Sequence, residues 1–313
     1  MRRAATSPSS TATASGWQRW GRSSNSPGSP VDYRDKVVVV TGASSGIGAV
    51  TARAFAERGS VVVGVARREE LLEKLARECQ ARSPASGYLA GDLGERPFAE
   101  RVVDETVRRH GRLDILINNA AISKHKQFYH MTADEAEYVM RVNFLSCVWT
   151  TMAAIPHMLR QGGGTVVNIS SFAAKVSPPR ETMYAASKAA MNAFTEGLWN
   201  DLAGSNIHVS VINPGPIDTE IWLKEDEPVA YQGPKYPAQI VTDAIFEAIE
   251  KRRHELTVPK RNPMLLAARF LRLFVPSLLR FGVARMEPVP AEIVEQARAR
   301  AAKGKRLGDL DER

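Results

Sequence analysis

Tyr184 and Lys188 lie four positions apart in Tyr184-Ala185-Ala186-Ser187-Lys188. They open a stretch with helical periodicity, so both side chains project from one face. An ammonium beside a phenol disfavours the protonated phenol and lowers its pKa toward neutral pH, which makes it a usable general acid or base. Taken alone, such a pair is commonly surface decoration. It gains meaning from Ser171, thirteen positions earlier at the end of a β-branched run. A hydroxyl there returns to the carboxyl edge of a parallel sheet, where it can bond an oxygen on which charge develops.

A second group of residues suits an anion. Thr41-Gly42-Ala43-Ser44-Ser45-Gly46-Ile47-Gly48 follows Val37-Val38-Val39-Val40 and precedes a helical stretch. Glycines allow a tight turn, an approach of backbone to a pyrophosphate without intervening Cβ atoms, and close packing of helix on sheet. The helix N-terminus adds free N–H groups and a favourable dipole. A glycine cluster by itself is equally a structural turn; a strand before it and a helix after it are the context that a dinucleotide fingerprint requires. At the end of the next strand an NAD site places Asp or Glu for the ribose 2′-OH, whereas this chain reads Gly64-Val65-Ala66-Arg67-Arg68. Arg67, helped by Arg68, instead suits a 2′-phosphate, so NADP(H) is expected in preference to NAD(H). The alternative is that both arginines simply start the following helix in solvent. Asp92 is placed to accept from the adenine amino group, with Leu93 near the ring.

The elements that must position these residues follow from the alternation of short β-branched runs with longer amphipathic stretches from Asp35 onward. Strands are expected at Lys36–Val40, Val61–Ala66, Gly87–Ala90, Ile115–Asn118, Thr165–Ile169, Val209–Ile212 and Glu255–Val258. Helices are expected near Ile47–Arg58, Glu69–Arg82, Glu95–His110, Ala133–Arg160 with a break at Pro156, Tyr184–Leu202 and Ala238–Lys251. This is an α/β pattern: a doubly wound parallel sheet of about seven strands with helices on both faces. Residues 31–260 form the expected catalytic domain, between a Ser/Thr/Pro/Gly-rich leader at 1–30, read as disordered, and a basic amphipathic helical tail at 261–313.

At 44% hydrophobic and 24% charged residues the 313-residue chain has the composition of a soluble globular protein. Cys79 and Cys147 stand apart without CxxC spacing, and the six histidines form no ligand cluster, so neither a disulfide framework nor a protein-held metal is expected. The net charge of +8 sits in the ends: residues 251–313 carry fifteen Lys/Arg against seven Asp/Glu, and residues 1–30 carry four and none. The body between them is mildly acidic, which disfavours nucleic acid as the partner and suits a basic tail meeting an anionic surface.

Together these motifs resemble the short-chain dehydrogenase/reductase family, in its compact oxidoreductase branch. The TGxxxGxG turn from Thr41 to Gly48, Asn118-Asn119-Ala120-Ala121, Asn143, Ser171, Tyr184-x-x-x-Lys188 and Asn213-Pro214-Gly215 with Thr219 occur in the family's order and approximate spacing over about residues 35–258. Ala121, where many relatives carry glycine, is a small departure. The resemblance implies a Rossmann-type fold and roles for each residue. Tyr184 would exchange a proton with the carbonyl or alcohol oxygen and Ser171 would hydrogen-bond that oxygen. Lys188 would hold the nicotinamide ribose and depress the phenol's pKa, and Asn143 would order a water leading from Lys188 to solvent. Gly42, Ser44, Ser45, Gly46, Ile47 and Gly48 would cradle the pyrophosphate. Asn119 and Ala120 would line the adenosine side, while Pro214, Gly215, Ile217 and Thr219 would cradle the nicotinamide and its phosphate. It also implies a homodimer or homotetramer joined through the long helices near Ala133–Arg160 and Tyr184–Leu202.

Substrate contacts are expected from Ser123–His130, Phe172–Met183 and Ile221–Pro237. Phe128, Tyr129, Phe172, Val176, Met183, Ile221, Trp222 and Leu223 favour a lipophilic ketone, aldehyde or alcohol, while Lys124, Lys126 and Lys175 leave a 3-oxoacyl thioester open. In Pro263–Met286 a broad apolar face is interleaved with Arg269, Arg272, Arg280 and Arg285. Two expectations stand for it: peripheral contact with an anionic membrane surface, or a lid packed on the enzyme body. A cytoplasmic protein, peripheral at a membrane surface in the first case, is expected. The rival to catalysis is a cofactor-binding scaffold or sensor, which would need no acid/base tyrosine.

Overall fold

Val38 and Val40 point into one apolar layer and Val39 into the other, with all three fully buried. This is what a continuous valine run does in a strand covered on both faces. A computed structural model describes residues 31–223, 231, 233–285 and 289–301. The expected disordered leader and a frayed end at 306–313 lie outside the described residues.

Seven strands form one sheet: β1 Val37–Thr41, β2 Val61–Ala66, β3 Gly87–Ala90, β4 Ile115–Asn118, β5 Gly164–Ile169, β6 Ile207–Pro214 and β7 Glu255–Val258. Their order is β3-β2-β1-β4-β5-β6-β7, and every pairing is parallel. The direction of winding reverses between β1 and β4, which opens a crevice beyond their carboxyl ends. Helices α1 (Gly46–Glu57), α2 (Glu69–Gln80) and α8 (Gln239–Glu250) cover one face, where Phe55 and Phe246 meet Tyr33 edge-on at ring-centroid distances of 5.7 and 5.1 Å. Helices α3 (Arg96–His110), α5 (Ser146–Arg160) and α7 (Thr182–Asp201) cover the other, around Phe98, Val102 and Met158.

The break expected at Pro156 occurs elsewhere. Helix α4 (Ala133–Met140), started by a capping box between Thr132 and Glu135, passes through a π turn at Arg141–Leu145 into α5, which continues through Pro156. Pro156 deprives the Met152 carbonyl of its partner, and Met152 lies on the solvent side, where water can take that place. The π turn instead contains Asn143, whose buried side chain is tied to another segment.

Beyond the short helix α6 (Ala173–Val176) and the last strand, α9 (Pro263–Phe274), α10 (Pro276–Ala284) and α11 (Ala291–Ala301) complete the described chain. Asn262 caps α9 by accepting from the Leu265 N–H at 3.1 Å, and Pro263 and Pro276 each occupy a first helical position. Helix α9 packs on α6, and the Arg272 guanidinium donates to the Lys175 carbonyl.

Candidate active site

Ser171 lies two residues past the end of β5, with its Oγ accepting from the Ala173 N–H at 3.0 Å, and it hydrogen-bonds the phenol of Tyr184 at the start of α7. Lys188, one turn further on, is 1% exposed. Its Nζ donates to the Ile169 carbonyl at 2.7 Å and lies 5.9 Å from the centre of the Tyr184 ring. The Ser170 hydroxyl donates to the Lys188 carbonyl at 3.0 Å and so pins α7 to β5.

These positions correct the expectation that the ammonium brings the phenol's pKa toward neutral pH. Enclosure by protein pushes the Tyr184 phenol up, the Glu181 carboxylate adds to this, and the Ser171 hydrogen bond opposes it. Burial also holds the Lys188 ammonium down, to about 8. The lysine is committed to a backbone carbonyl rather than to the phenol, and desolvation outweighs its charge.

Asn143 clamps a loop. Its Oδ1 accepts from the Ile122 N–H at 2.8 Å, while its amide donates to the Ile122 carbonyl at 2.9 Å and to Ser187 Oγ at 3.2 Å. Both hydrogens of its amide are thereby engaged. Asn118 braces the sheet behind the site, donating to Asn168 Oδ1 at 2.9 Å and to Thr151 Oγ1 at 3.1 Å and accepting from Thr150 Oγ1 at 2.8 Å.

The glycine turn has the shape that the anion reading requires. Gly42 adopts φ +67°, and a Cβ on it would lie 2.8 Å from Ala120 Cα; a Cβ on Gly48 would lie 2.3 Å from the Gly42 carbonyl oxygen. Thr41 Oγ1 accepts from the N–H groups of Asn119 and Ala120 at 2.8 and 3.0 Å, and the Asn119 amide donates to the Thr41 carbonyl at 2.9 Å. The turn is thus fixed to the end of β4. Arg68 reaches over it, donating to Ser44 Oγ at 3.1 Å and Ser45 Oγ at 2.7 Å and pairing with Glu220 at 2.8 Å. Arg67 donates to the Tyr138 hydroxyl at 2.8 Å, which donates to Asp92 Oδ2 at 2.7 Å; Asp92 Oδ1 accepts from the Gly94 N–H at 2.8 Å. The carboxylate expected to be open to adenine is therefore engaged on both oxygens.

One cavity of about 740 Å³ joins these features. Its wall includes Gly42, Ser44, Ser45, Gly46, Ile47, Arg67, Arg68, Asp92, Leu93, Asn119, Ala120, Ser171, Tyr184, Lys188, Pro214, Gly215, Ile217 and Thr219, while Gly48 and Asn143 sit behind it. Of the expected substrate residues, Phe172, Val176, Ile221 and Trp222 line the cavity; Phe128, Tyr129, Met183 and Leu223 do not, and Phe128 is exposed. The three lysines of the thioester reading are paired with carboxylates, Lys124 and Lys126 with Glu135 at 3.3 and 3.1 Å and Lys175 with Glu255 at 3.1 Å.

Several wall residues were not singled out individually by sequence, though His125 and Glu181 lie in two of the loops expected to contact substrate. His125 bonds Glu181 at 3.0 Å and stacks on Trp222, and both ionisable groups face the cavity. Tyr138 and Glu220 approach the two arginines from α4 and from the segment after β6. Leu265, Ala268, Leu279 and Val283 close the apolar end from α9 and α10; of the signals in the sequence, the helical periodicity of the tail alone pointed there.

Residues 36–229 match the profile of the short chain dehydrogenase family. The 11-beta-hydroxysteroid dehydrogenase 1A of Arabidopsis thaliana is 38% identical over 188 residues, 59% of this chain and 53% of that one, so the match spans about half of that relative's length. Among solved structures, a short chain dehydrogenase/reductase from Burkholderia phymatum in complex with NAD aligns with TM-score 0.72 at 26% identity, covering 79% of this chain and 96% of that one. A short-chain dehydrogenase from Sphingobium yanoikuyae in complex with NADPH aligns with TM-score 0.68 at 29% identity, covering 82% and 97%. The sheet order, the glycine turn and the Ser171, Tyr184 and Lys188 constellation agree with these likenesses: the chain belongs to the short-chain dehydrogenase/reductase family, as an NAD(P)-dependent oxidoreductase acting on CH–OH/C=O groups.

Proposed function

We propose that this enzyme interconverts a carbonyl and an alcohol on a lipophilic substrate with NADP(H) as the preferred dinucleotide. The observation that carries the reading is a single cavity with Ser171 and Tyr184 facing its apolar end and two arginines, with no carboxylate at the end of β2, at the other. The turn between them fits a dinucleotide, since Cβ atoms at Gly42 or Gly48 would collide with backbone. Gly42, Ser44, Ser45, Gly46 and Ile47 would hold the pyrophosphate, Arg68 and Arg67 the 2′-phosphate, Leu93, Asn119 and Ala120 the adenosine, and Pro214, Gly215, Ile217, Thr219 and Lys188 the nicotinamide riboside. When bound, the dinucleotide supplies or receives the hydride.

The chain's own residues manage the oxygen. The Ser171 hydroxyl, held by the Ala173 N–H, bonds the reacting oxygen and favours the charge that develops there. Tyr184 gives that oxygen a proton in reduction and takes one in oxidation. Phe172, Val176, Trp222, Leu265 and Leu279 exclude water and bind apolar substrate. The pairing of Lys124, Lys126 and Lys175 with carboxylates supports a lipophilic substrate over an acyl thioester. Met152 and Leu159, exposed on α5, support assembly as a homodimer or homotetramer through α5 and α7.

The test is a fluorescence titration of NADPH and NADH, followed by oxidation assays against lipophilic ketones and aldehydes. NADPH is expected to bind more tightly, and Tyr184→Phe to lose about two to four orders of magnitude in turnover with folding intact. Tighter NADH binding overturns the cofactor reading. Unchanged turnover in Tyr184→Phe overturns the catalytic one.

A further inference from the structure

Helices α9 and α10 present two apolar faces. Inward, Leu265, Ala268, Leu279 and Val283 form part of the active-site wall, and Leu265 is 4% exposed. Outward, Leu266, Phe270, Leu273 and Phe274 on α9 and Leu278 and Phe281 on α10 stand between 54% and 69% exposed. At 100° per residue the outward residues of α9 fall within an arc of about 100°, and in each helix the two faces are about 150° apart. The inward face is explained by the cavity, and among the described residues the outward one is left without a partner.

We infer that this outward face seats the enzyme on an anionic phospholipid bilayer, with the active-site cavity behind the seated helices. The charge of the segment decides between a bilayer and a second copy of the chain. Between Pro263 and Met286 there are four arginines and no acidic residue. Arg269, Arg280 and Arg285 are exposed among the apolar side chains, with the Arg285 guanidinium 3.9 Å from the centre of the Phe281 ring. A two-fold contact through this face would set these arginines against their own copies with no carboxylate in the segment to pair with them. Anionic headgroups accept them, and the acyl boundary accepts the phenylalanines and leucines. The helices split at Val275 and Pro276 so that two short amphipathic pieces lie against the body, and neither is long enough to span a bilayer. The docking goes beyond the catalytic reading; the lipophilic substrate proposed above gives it a use, since such a substrate resides in the membrane.

The experiment is co-sedimentation of the full chain with phosphatidylcholine vesicles with and without phosphatidylglycerol, at about 0.1 M and about 1 M salt. The comparison variants are Phe270→Ser/Leu273→Ser/Phe274→Ser and Arg269→Gln/Arg280→Gln. None of these residues lines the cavity, and unchanged thermal midpoints certify their folding. The full chain is expected to pellet with phosphatidylglycerol vesicles and to be released by salt. The apolar triple variant should partition at least about tenfold less, and the arginine variant should lose the preference for phosphatidylglycerol. Failure of the full chain to pellet, or undiminished pelleting of the triple variant, overturns the inference. So does a full chain that ignores vesicles while the triple variant elutes as a smaller assembly, which would assign the face to a second copy. Vesicle binding requires no turnover, so failure of the redox reading and failure of this one are separable.

Discussion

Replacing Arg67 and Arg68 by glutamine tests the cofactor argument at its weakest point, because neither arginine is idle in the folded chain. Arg68 is paired with Glu220 at 2.8 Å, and the two side chains are 39% and 43% exposed. An ion pair that open to solvent contributes only about 0.2–1 kcal/mol. A charge-assisted hydrogen bond to a phosphate contributes about 1.5–3 kcal/mol, so a bound 2′-phosphate prevails over Glu220 with about 1–2 kcal/mol to spare. Arg67 surrenders a hydrogen bond to a neutral phenol, a loss of about 0.5–1.5 kcal/mol, and nets a similar gain. Each single substitution should therefore weaken NADPH by about 5–30-fold, and the double one by about 30–1000-fold. NADH lacks the phosphate and should change by less than about threefold. Fluorescence titration of both dinucleotides reads this ratio directly. A parallel loss for NADPH and NADH would mean that the arginines maintain the turn rather than read the phosphate, and loss for neither would place the 2′-position elsewhere.

Two further predictions concern the scaffold. In Gly48→Ala the new Cβ meets the Gly42 carbonyl oxygen at 2.3 Å, so α1 or the turn must shift, costing about 1–3 kcal/mol in urea unfolding and abolishing tight dinucleotide binding; wild-type values for both would discredit the steric reading. The His208 imidazole, bonded to the Ala248 carbonyl at 3.1 Å and to Ser210 Oγ at 2.8 Å, is held down to about 4 by burial, helped by the Arg252 charge. Its folded value lies below its unfolded one, so its contribution is complete above about pH 6.5 and is lost as pH falls toward about 4. This loss is up to about 3 kcal/mol, which His208→Gln should remove from the pH dependence of stability, and an identical acid slope in the variant would show that other groups carry it.

The layout of the fold was legible because each strand is a short β-branched run bounded by turn residues, and four of the seven strands coincide with their expected bounds to the residue. The missed break in the α4–α5 rod shows the limit of local rules. Proline marks a break only where its lost hydrogen bond matters, whereas the π turn at Arg141–Leu145 serves a contact from Asn143 to Ile122 that no local pattern encodes. The site divides in the same way. Ser171, Tyr184 and Lys188 could be found because motif spacing and sheet topology bring them together. His125 and Glu181 were found only as members of the expected substrate loops Ser123–His130 and Phe172–Met183, and Tyr138 and Glu220 could not be found, since each reaches the cavity from an element whose local sequence is an ordinary helix or loop. The tail was half legible: periodicity announced amphipathic helices, but the phase broke at Val275–Pro276, and that break gives each helix its own inner and outer face.

Burial acts on Tyr184 and Lys188 in opposite senses, raising the phenol and lowering the ammonium to about 8, so near neutral pH the phenol keeps its proton while the lysine is still mostly charged. With the lysine's Nζ bonded to the Ile169 carbonyl, nothing at Tyr184 offsets desolvation except the Ser171 hydrogen bond, and the Glu181 carboxylate acts against it. The phenol therefore holds its proton across the neutral range. A carbonyl oxygen that reaches Ser171 and Tyr184 meets two O–H donors without any prior ionisation. Oxidation asks for a phenolate, which the ammonium must approach to stabilise, and its tie to Ile169 must be exchanged for one nearer the phenol.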